Sequence, residues 1–185
     1  MSLETERLIL RRWRGVDRPV FAALNADPAV MEFFTFTRNR AEADAVMDKL
    51  NEHIDRYGYG FWAMELKEDW QTIGFTGLQN VNFEARFCPA VEIGWRLLHP
   101  HWGKGYATEA AEASLAFAFR RLGLEEVVSF AVEANARSRA VMERIGMVHD
   151  PEFDFDHPSI DAGHPFARHA FYRIRRSDWE RADGR

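Results

Sequence analysis

The segment HPHWGKGYATEAAEASLAFAF, residues His99–Phe119, places two glycines and a lysine directly before a long alanine-rich run. The run predicts a helix from about Gly105 to Leu122, with Gly123 as the residue that ends it. The first amides of a helix lack intrahelical partners, and the helix dipole adds about half a positive charge there. Glycines at 103 and 105 would let those amides approach a phosphate closely. The segment therefore predicts an anion site, with a simple tight turn as the alternative.

Two other phosphate-binding motifs fit this segment poorly. A P-loop requires a glycine where Leu98 stands and a serine or threonine after Lys104, where Gly105 stands. A dinucleotide fingerprint requires a third glycine, and Thr108 occupies that position, although Glu125 lies at the distance expected of a ribose-binding acid. That motif opens a doubly wound fold, whereas several predicted strands precede this one. A dinucleotide-binding oxidoreductase remains a minor alternative.

Apolar runs and helical spacings predict the surrounding elements. The predicted strands are Arg7–Trp13, Phe61–Lys67, Thr72–Val81, Ala90–Leu98, Glu126–Val132 and His169–Ile174. The other predicted helices are Asp17–Ala26, Arg40–Tyr57 and Ala136–Ile145, and a capping-box pattern follows at Ser177–Glu180. The order predicts one mixed α/β domain over residues 1–185. The segment Asp150–Arg168 is predicted to be irregular.

Composition restricts the class of protein. The chain has 185 residues, 46% hydrophobic and 29% charged, which suits a soluble globular domain. No apolar run reaches the ~20 residues of a membrane span, the polar start does not resemble a signal peptide, and Cys88 is the only cysteine, so we expect a cytoplasmic protein without a membrane partner. A net charge of -5 disfavours nucleic acid as a partner. The basic cluster Arg11–Arg14 is expected to be a solvated strand end.

Five motifs, in order along the chain, resemble the GNAT superfamily of acyl-CoA-dependent N-acetyltransferases, and in particular its RimJ/RimL-like branch. They are TERLILRRW (Thr5–Trp13), IGFTGL (Ile73–Leu78), VEIGWRL (Val91–Leu97), HPHWGKGYATEA (His99–Ala110) and VEANARSRAVMERIGM (Val132–Met147). The resemblance implies a GNAT fold, with a single mixed, mostly antiparallel, twisted sheet that is splayed at the coenzyme site and flanked by helices. It also implies acetyl-CoA as the acetyl donor, direct attack by an amine in a ternary complex, no metal, and a homodimer.

The resemblance assigns the coenzyme-binding residues. It implies that one loop cradles the pyrophosphate, through Trp102, Gly103, Lys104, Gly105, Tyr106, Ala107 and Thr108. Trp102 replaces the family's usual Gln or Arg, but the backbone amides remain. The resemblance further implies that the pantetheine arm pairs with the backbone of Trp95, Arg96 and Leu97, as an added strand would.

The helix after the fifth predicted strand supplies the remaining coenzyme contacts. The resemblance implies that Asn135 contacts the coenzyme arm and that Ser138 lies near the thiol as a catalytic group. For Asn135 the alternative is a helix cap, and for Ser138 an ordinary first-turn serine. Met142 is expected at the coenzyme, where many GNAT enzymes carry a tyrosine acid.

Acetyl transfer to an amine requires a deprotonated nucleophile. Glu92 is the candidate base, because its neighbours Val91, Ile93 and Trp95 are apolar and such surroundings raise a carboxyl pKa. An outward-facing structural glutamate is the alternative. An α-amine with a pKa of ~7.7–8.0 needs less help from a base than a lysine at ~10.4.

The acceptor is predicted only as a class: a protein N-terminus, a small amine or an amino acid. The candidate acceptor-binding residues are Glu92, Phe33, Phe34, Trp62 and His169, although aromatic residues at such positions are often core.

The pair His99 and His101 lacks a third ligand at suitable spacing, so no metal is expected. A non-catalytic acyl-CoA-binding regulatory protein is the other alternative function.

Overall fold

A computed structural model of the chain describes residues 2–182. The chain divides into two compact units. Unit 1 comprises the residues up to Gln79 together with Gly94–Ser114, and unit 2 comprises Asn80–Ile93 and the residues from Leu115 onward. Among the described residues, no helix has both the length and the apolar character needed to cross a membrane.

Unit 1 is built from antiparallel strands and two helices. Its elements are β1 (Ser2–Glu4), β2 (Leu8–Arg11), α1 (Arg18–Ala26), α2 (Arg40–Tyr57), β3 (Phe61–Leu66), β4 (Thr72–Asn80), the end of β5 (Val91–Leu97) and the start of α3 (Tyr106–Arg120). The strand order is β1-β2-β3-β4-β5. Strands β1 to β3 pair antiparallel, and so do β3 and β4.

The core of unit 1 lies between this sheet and the helices α1 and α2. Trp13 is its centre: the Trp13 ring meets the Phe21 ring edge-on at 4.8 Å, and its Nε1 donates to the Phe61 carbonyl at 2.8 Å. Met47 and Leu50 pack from α2 into the same cluster. Burying each such side chain contributes about 1.5–3 kcal/mol, so the helical spacing seen in the sequence is explained by this packing.

Arg11 corrects one expectation from the sequence. Its side chain is only 6% exposed and binds the Asp17 carboxylate at 2.7 Å and the Glu65 carboxylate at 2.5 Å. Thr72 donates to the same Asp17 carboxylate at 2.7 Å. The basic cluster is therefore not a solvated strand end at Arg11, because two carboxylates from later segments neutralise the buried guanidinium. Arg12 is solvated as expected.

Unit 2 contains the parallel strand pair. Its elements are the start of β5, the end of α3, β6 (Glu126–Val132), α4 (Ala136–Arg144), β7 (Val148–His149), β8 (Phe155–Asp156), β9 (Arg168–Arg175) and α5 (Arg176–Ala182). Strand β5 pairs parallel with β6, and β9 pairs antiparallel with β6, β7 and β8. The prediction of a mixed, mostly antiparallel sheet flanked by helices is confirmed.

Several predicted boundaries were wrong. Strand β1 was not predicted, and the segment after Asp150 is not wholly irregular, since it contains β8 paired with β9. Helix α3 begins at Tyr106 and not at Gly105, whose φ of +82° is not helical. Helix α5 follows β9 directly from Arg176, so Ser177 lies inside the helix instead of capping it.

Candidate active site

The predicted anion loop has the backbone geometry that its glycines suggested. A short 3-10 turn, His99–His101, follows β5. After it, Gly103 and Gly105 adopt φ angles of +74° and +82°. Those angles are accessible to glycine and strained for other residues. The Glu109 amide makes the first helical bond, 3.0 Å to the Gly105 carbonyl. The amides at the start of α3 precede that bond, which is the arrangement that binds anions.

The face of the loop at Gly103 is open. A Cβ added at this residue would have no heavy atom within 4 Å. Lys104 is exposed beside it. Trp102 turns its indole inward, where Nε1 donates to the Leu97 carbonyl at 2.8 Å. The residue that replaces the family's polar side chain therefore fixes the start of the loop to the end of β5.

Arg7, for which the sequence predicts no role, contacts the loop and the first turn of α3. Its Nη1 donates to the Lys104 carbonyl at 2.9 Å, its Nε lies 2.6 Å from the Glu109 carboxylate, and its guanidinium lies 4.6 Å from the centre of the Tyr106 ring. Hydrogen bonds from Thr5 and Arg7 hold the pKa of Glu109 below its usual value, although burial works in the opposite direction. Arg7 lies in the motif TERLILRRW, but no spacing rule connects it with a loop a hundred residues away.

The three residues predicted to pair with the pantetheine arm lie at the end of β5. Leu97 is buried, and Trp95 and Arg96 are partly buried. The Leu97 carbonyl already accepts the Trp102 indole, so its backbone is engaged on that side. The Arg96 side chain extends to the Asn25 side-chain carbonyl oxygen at 3.0 Å and lies 4.2 Å from the centre of the Phe34 ring.

The candidate acceptor-binding aromatics of unit 1 differ in exposure. Phe34 is 38% exposed and Phe33 partly buried, so both present surface in the connection between α1 and α2. Trp62 is 1% exposed and lies within the sheet core. A side chain with so little accessible surface has almost none to offer an acceptor, and its place in β3 is explained by packing.

Glu92 lies in the part of β5 that belongs to unit 2, with Val128 of β6 as its partner in register. Its side chain is partly buried, and loss of water around the carboxyl raises its pKa to about 8. A carboxyl with that pKa titrates near neutrality, which suits a general base. Paired residues share one face of a sheet, so Glu92 faces the same side as Val128.

Asn135 caps α4. Its side-chain oxygen accepts the Ser138 amide at 3.1 Å, which is the alternative that the sequence left open for this residue. Ser138 is partly buried in the first turn, and Met142 is buried at 2% exposure. The cap uses the side-chain oxygen of Asn135 and not its NH2 group.

His169 belongs to an aromatic cluster on β6, β8 and β9 of unit 2. Its Nδ1 lies 2.9 Å from the Ala167 carbonyl; a carbonyl only accepts, so Nδ1 carries the proton and Nε2 is the acceptor. Burial lowers the pKa of His169. Its ring centre lies 5.2 Å from that of His157, 5.7 Å from Phe155 and 6.2 Å from Phe130.

Within residues 2–182, no three His, Cys, Asp or Glu side chains gather as a metal site would require.

The chain matches the family model described as "Acetyltransferase (GNAT) domain" over residues 7–148. It is 30% identical over 191 residues to the "FsC-acetyl coenzyme A-N(2)-transacetylase" of Aspergillus fumigatus, covering 97% of this chain and 78% of that protein.

Solved structures agree. An acetyltransferase from Agrobacterium tumefaciens is 30% identical and superposes with a TM-score of 0.74 over 94% of both chains. A GNAT-family acetyltransferase from Bacillus anthracis, 24% identical, has the same fold, with a TM-score of 0.79 over 96% of this chain and 99% of that one. The family model and these relatives define the class of the protein as an acetyltransferase. The chain belongs to the GNAT acetyltransferase family.

Proposed function

We propose that this N-acetyltransferase moves an acetyl group from acetyl-CoA to a primary amine, which attacks the thioester directly in a ternary complex. The observation that carries the proposal is the loop before α3, with Gly103 and Gly105 at positive φ and an open face beside Lys104. Its amides and the Lys104 charge suit the coenzyme pyrophosphate. The family supplies the donor chemistry, and the motif HPHWGKGYATEA supports placement in the RimJ/RimL-like branch.

Glu92 is proposed as the general base. A carboxyl whose pKa is about 8 can take a proton from an ammonium group of similar pKa without a large free-energy cost. That match favours an α-amine over a lysine side chain, whose pKa is ~10.4. The name of the Aspergillus fumigatus relative likewise states transfer to an N(2) position.

The other assignments rest on the family resemblance. Asn135 is proposed to contact the coenzyme arm, Ser138 to lie near the thiol, and the backbone of residues 95–97 to pair with the arm. A cytoplasmic location and a homodimer complete the proposal. A protein N-terminus and a small amine or amino acid are the candidate acceptors.

Calorimetry with acetyl-CoA tests the donor site. We expect heat in the wild type and weaker binding in Lys104→Ala, because a positive charge beside the pyrophosphate is lost. Lys49→Ala, which removes an exposed lysine from α2, is the control. No heat at millimolar acetyl-CoA would end the proposal, and binding of a nicotinamide dinucleotide in its place would favour the oxidoreductase.

Thiol release over a panel of amines tests the transfer. The panel contains free amino acids and their amides, spermidine, and peptides with free N-termini. We expect release with at least one α-amine. Acetyl-CoA binding without release on any amine would favour the non-catalytic coenzyme-binding protein.

A further inference from the structure

Two arginines of unit 1 converge on one neutral oxygen. Arg38 Nη1 and Arg96 Nη1 both donate to the Asn25 side-chain carbonyl oxygen, at 3.1 Å and 3.0 Å. Asn25 is fully buried, and its Nδ2 donates to the Phe21 carbonyl at 2.8 Å. Because guanidinium groups only donate, this arrangement fixes which atom of the Asn25 amide faces the arginines.

Within residues 2–182, neither arginine of this pair has a carboxylate at ion-pair distance, whereas Arg11 in the same unit has two. Burial lowers the pKa of Arg38, although the charge of Glu42 acts in the opposite direction. Burial, followed by the charge of Arg38, lowers the pKa of Arg96 to about 9. Two desolvated like charges side by side are costly unless an anion joins them.

Each guanidinium of the pair lies over an aromatic ring. The Arg96 guanidinium lies 4.2 Å from the centre of the Phe34 ring, and that of Arg38 lies 4.3 Å from the centre of the Phe36 ring. Phe34 and Phe36 are 38% and 44% exposed, so the cluster opens to solvent. Each guanidinium has five donors, and Asn25 takes one from each. A planar carboxylate matches the remaining paired donors.

We propose that Arg38 and Arg96 bind a carboxylate of the acceptor, so that the acceptor is an amine bearing a carboxylate, of amino-acid type. This inference rests on the proposed function and refines it, since a polyamine offers these arginines no anion. The carboxylate would supply the missing counter-charge, and Phe34 would contact the acceptor beside it. From the sequence, Arg96 was expected to contribute only its backbone, and Arg38 shows no pattern that indicates a role.

A binding experiment tests the pair without turnover. The probes are N-acetylglycine, which carries a carboxylate, and N-acetylglycinamide, which lacks one. Both are titrated at millimolar concentration while the arginine Nε–H resonances are recorded by NMR, with Arg38→Gln and Arg96→Gln as assignment variants. We expect N-acetylglycine alone to shift both resonances. Equal shifts from both probes, or from neither, would overturn the inference.

A kinetic experiment then separates this site from the coenzyme site. For an amino acid acceptor and its amide, with each concentration expressed as the free amine because the two ammonium groups differ in pKa, we expect the wild type to prefer the amino acid in kcat/KM. Arg38→Gln should abolish the preference by raising the acceptor KM about 10- to 100-fold, the range for hydrogen bonds to charged groups. The KM for acetyl-CoA should not change. A raised KM for acetyl-CoA in its place would assign the arginines to the coenzyme and overturn the inference.

Arg40→Gln is the matched control, because Arg40 is an exposed arginine two residues away that pairs with Asp44 at 3.0 Å. It should keep the wild-type preference. Arg38→Lys keeps the charge without the planar fork and should be intermediate. Absence of thiol release with every amine would refute the proposed function, while the NMR titration would still decide whether the arginine pair binds a carboxylate.

Discussion

Arg7 and Glu109 form an ion pair, with 2.6 Å between Nε and Oε2, that joins the residues before β2 to the first turn of α3. The other oxygen of the carboxylate accepts the Thr5 hydroxyl at 2.5 Å and the Arg7 amide at 2.8 Å. Since Arg7 also donates to the Lys104 carbonyl, the shape of the proposed pyrophosphate loop depends on a segment far away in sequence.

Arg7→Gln should therefore weaken acetyl-CoA binding about fivefold, which corresponds to about 1 kcal/mol for a partly exposed pair. The variant loses both the positive charge beside the loop and the hydrogen bond from Arg7 to the Lys104 carbonyl. Calorimetry and the KM for acetyl-CoA measure the effect, and kcat should change little. Arg12→Gln, which breaks the exposed pair with Asp55 in the same unit, is the control. An unchanged affinity in Arg7→Gln would show that the loop holds its shape without this contact.

Gly103→Ala should weaken acetyl-CoA binding about tenfold, because a methyl group enters the face that the phosphate is proposed to approach. Gly58→Ala is an unusually close control: its φ is +76° against +74° at Gly103, and a Cβ at either position has no heavy atom within 4 Å. Both variants should lose about 1–2 kcal/mol of folding stability from backbone strain. Calorimetry and urea denaturation separate the two effects. Equal coenzyme affinities for the two variants would contradict the proposed loop.

Local signals predicted the glycine turn before α3 and the helix itself well. Glycines at 103 and 105 are required by their own backbone angles, and the helix that follows shows itself in apolar spacing. The order of the apolar runs predicted a mixed α/β domain, and the family resemblance implied the mostly antiparallel sheet. The turn, the helix and the apolar runs depend on residues close together in the chain, so a single sequence contains them.

Long-range polar contacts could not be predicted. Arg11 looks like part of a basic surface cluster until Glu65 folds against it, and Arg38 shows no pattern that would place it beside Arg96. The short strand β8 likewise depends on pairing with β9 and not on its own composition. Each of these features is decided by a partner distant in sequence.

Two substitutions at Asn135 should separate helix capping from coenzyme binding. Asn135→Ala removes the cap on the Ser138 amide and should cost about 1 kcal/mol of folding stability. Asn135→Ser keeps a capping oxygen but removes the amide, so its stability should stay near that of the wild type. If Asn135 also contacts the coenzyme arm, both variants raise the KM for acetyl-CoA. Normal kinetics in Asn135→Ser would mean that this residue is a cap alone.

Glu92 should control the pH dependence of the rate. Only the ionised carboxylate accepts a proton, so the wild-type kcat/KM should rise through pH 8, the pKa that burial gives this group. Glu92→Gln should lower kcat and leave only the titration of the acceptor amine. Steady-state rates from pH 6 to about 9.5 measure the profile, with Glu125→Gln, an exposed glutamate, as the control. A variant with the wild-type profile would exclude Glu92 as the base.

The same raised pKa predicts an effect on stability with a definite sign. Between the ordinary value of 4.5 and about 8, the folded protein binds the Glu92 proton more tightly than the unfolded chain does. Glu92 therefore destabilises the fold progressively as pH rises through that window. One pKa unit corresponds to about 1.4 kcal/mol, and partial exposure of the carboxyl reduces the effect. The free energy of unfolding of Glu92→Gln, relative to that of the wild type, should therefore be about 1–3 kcal/mol higher at pH 8.5 than at pH 4.5. Urea denaturation at both pH values measures the difference, and a gain independent of pH would show that the Glu92 carboxyl is hydrated in the folded protein and titrates normally.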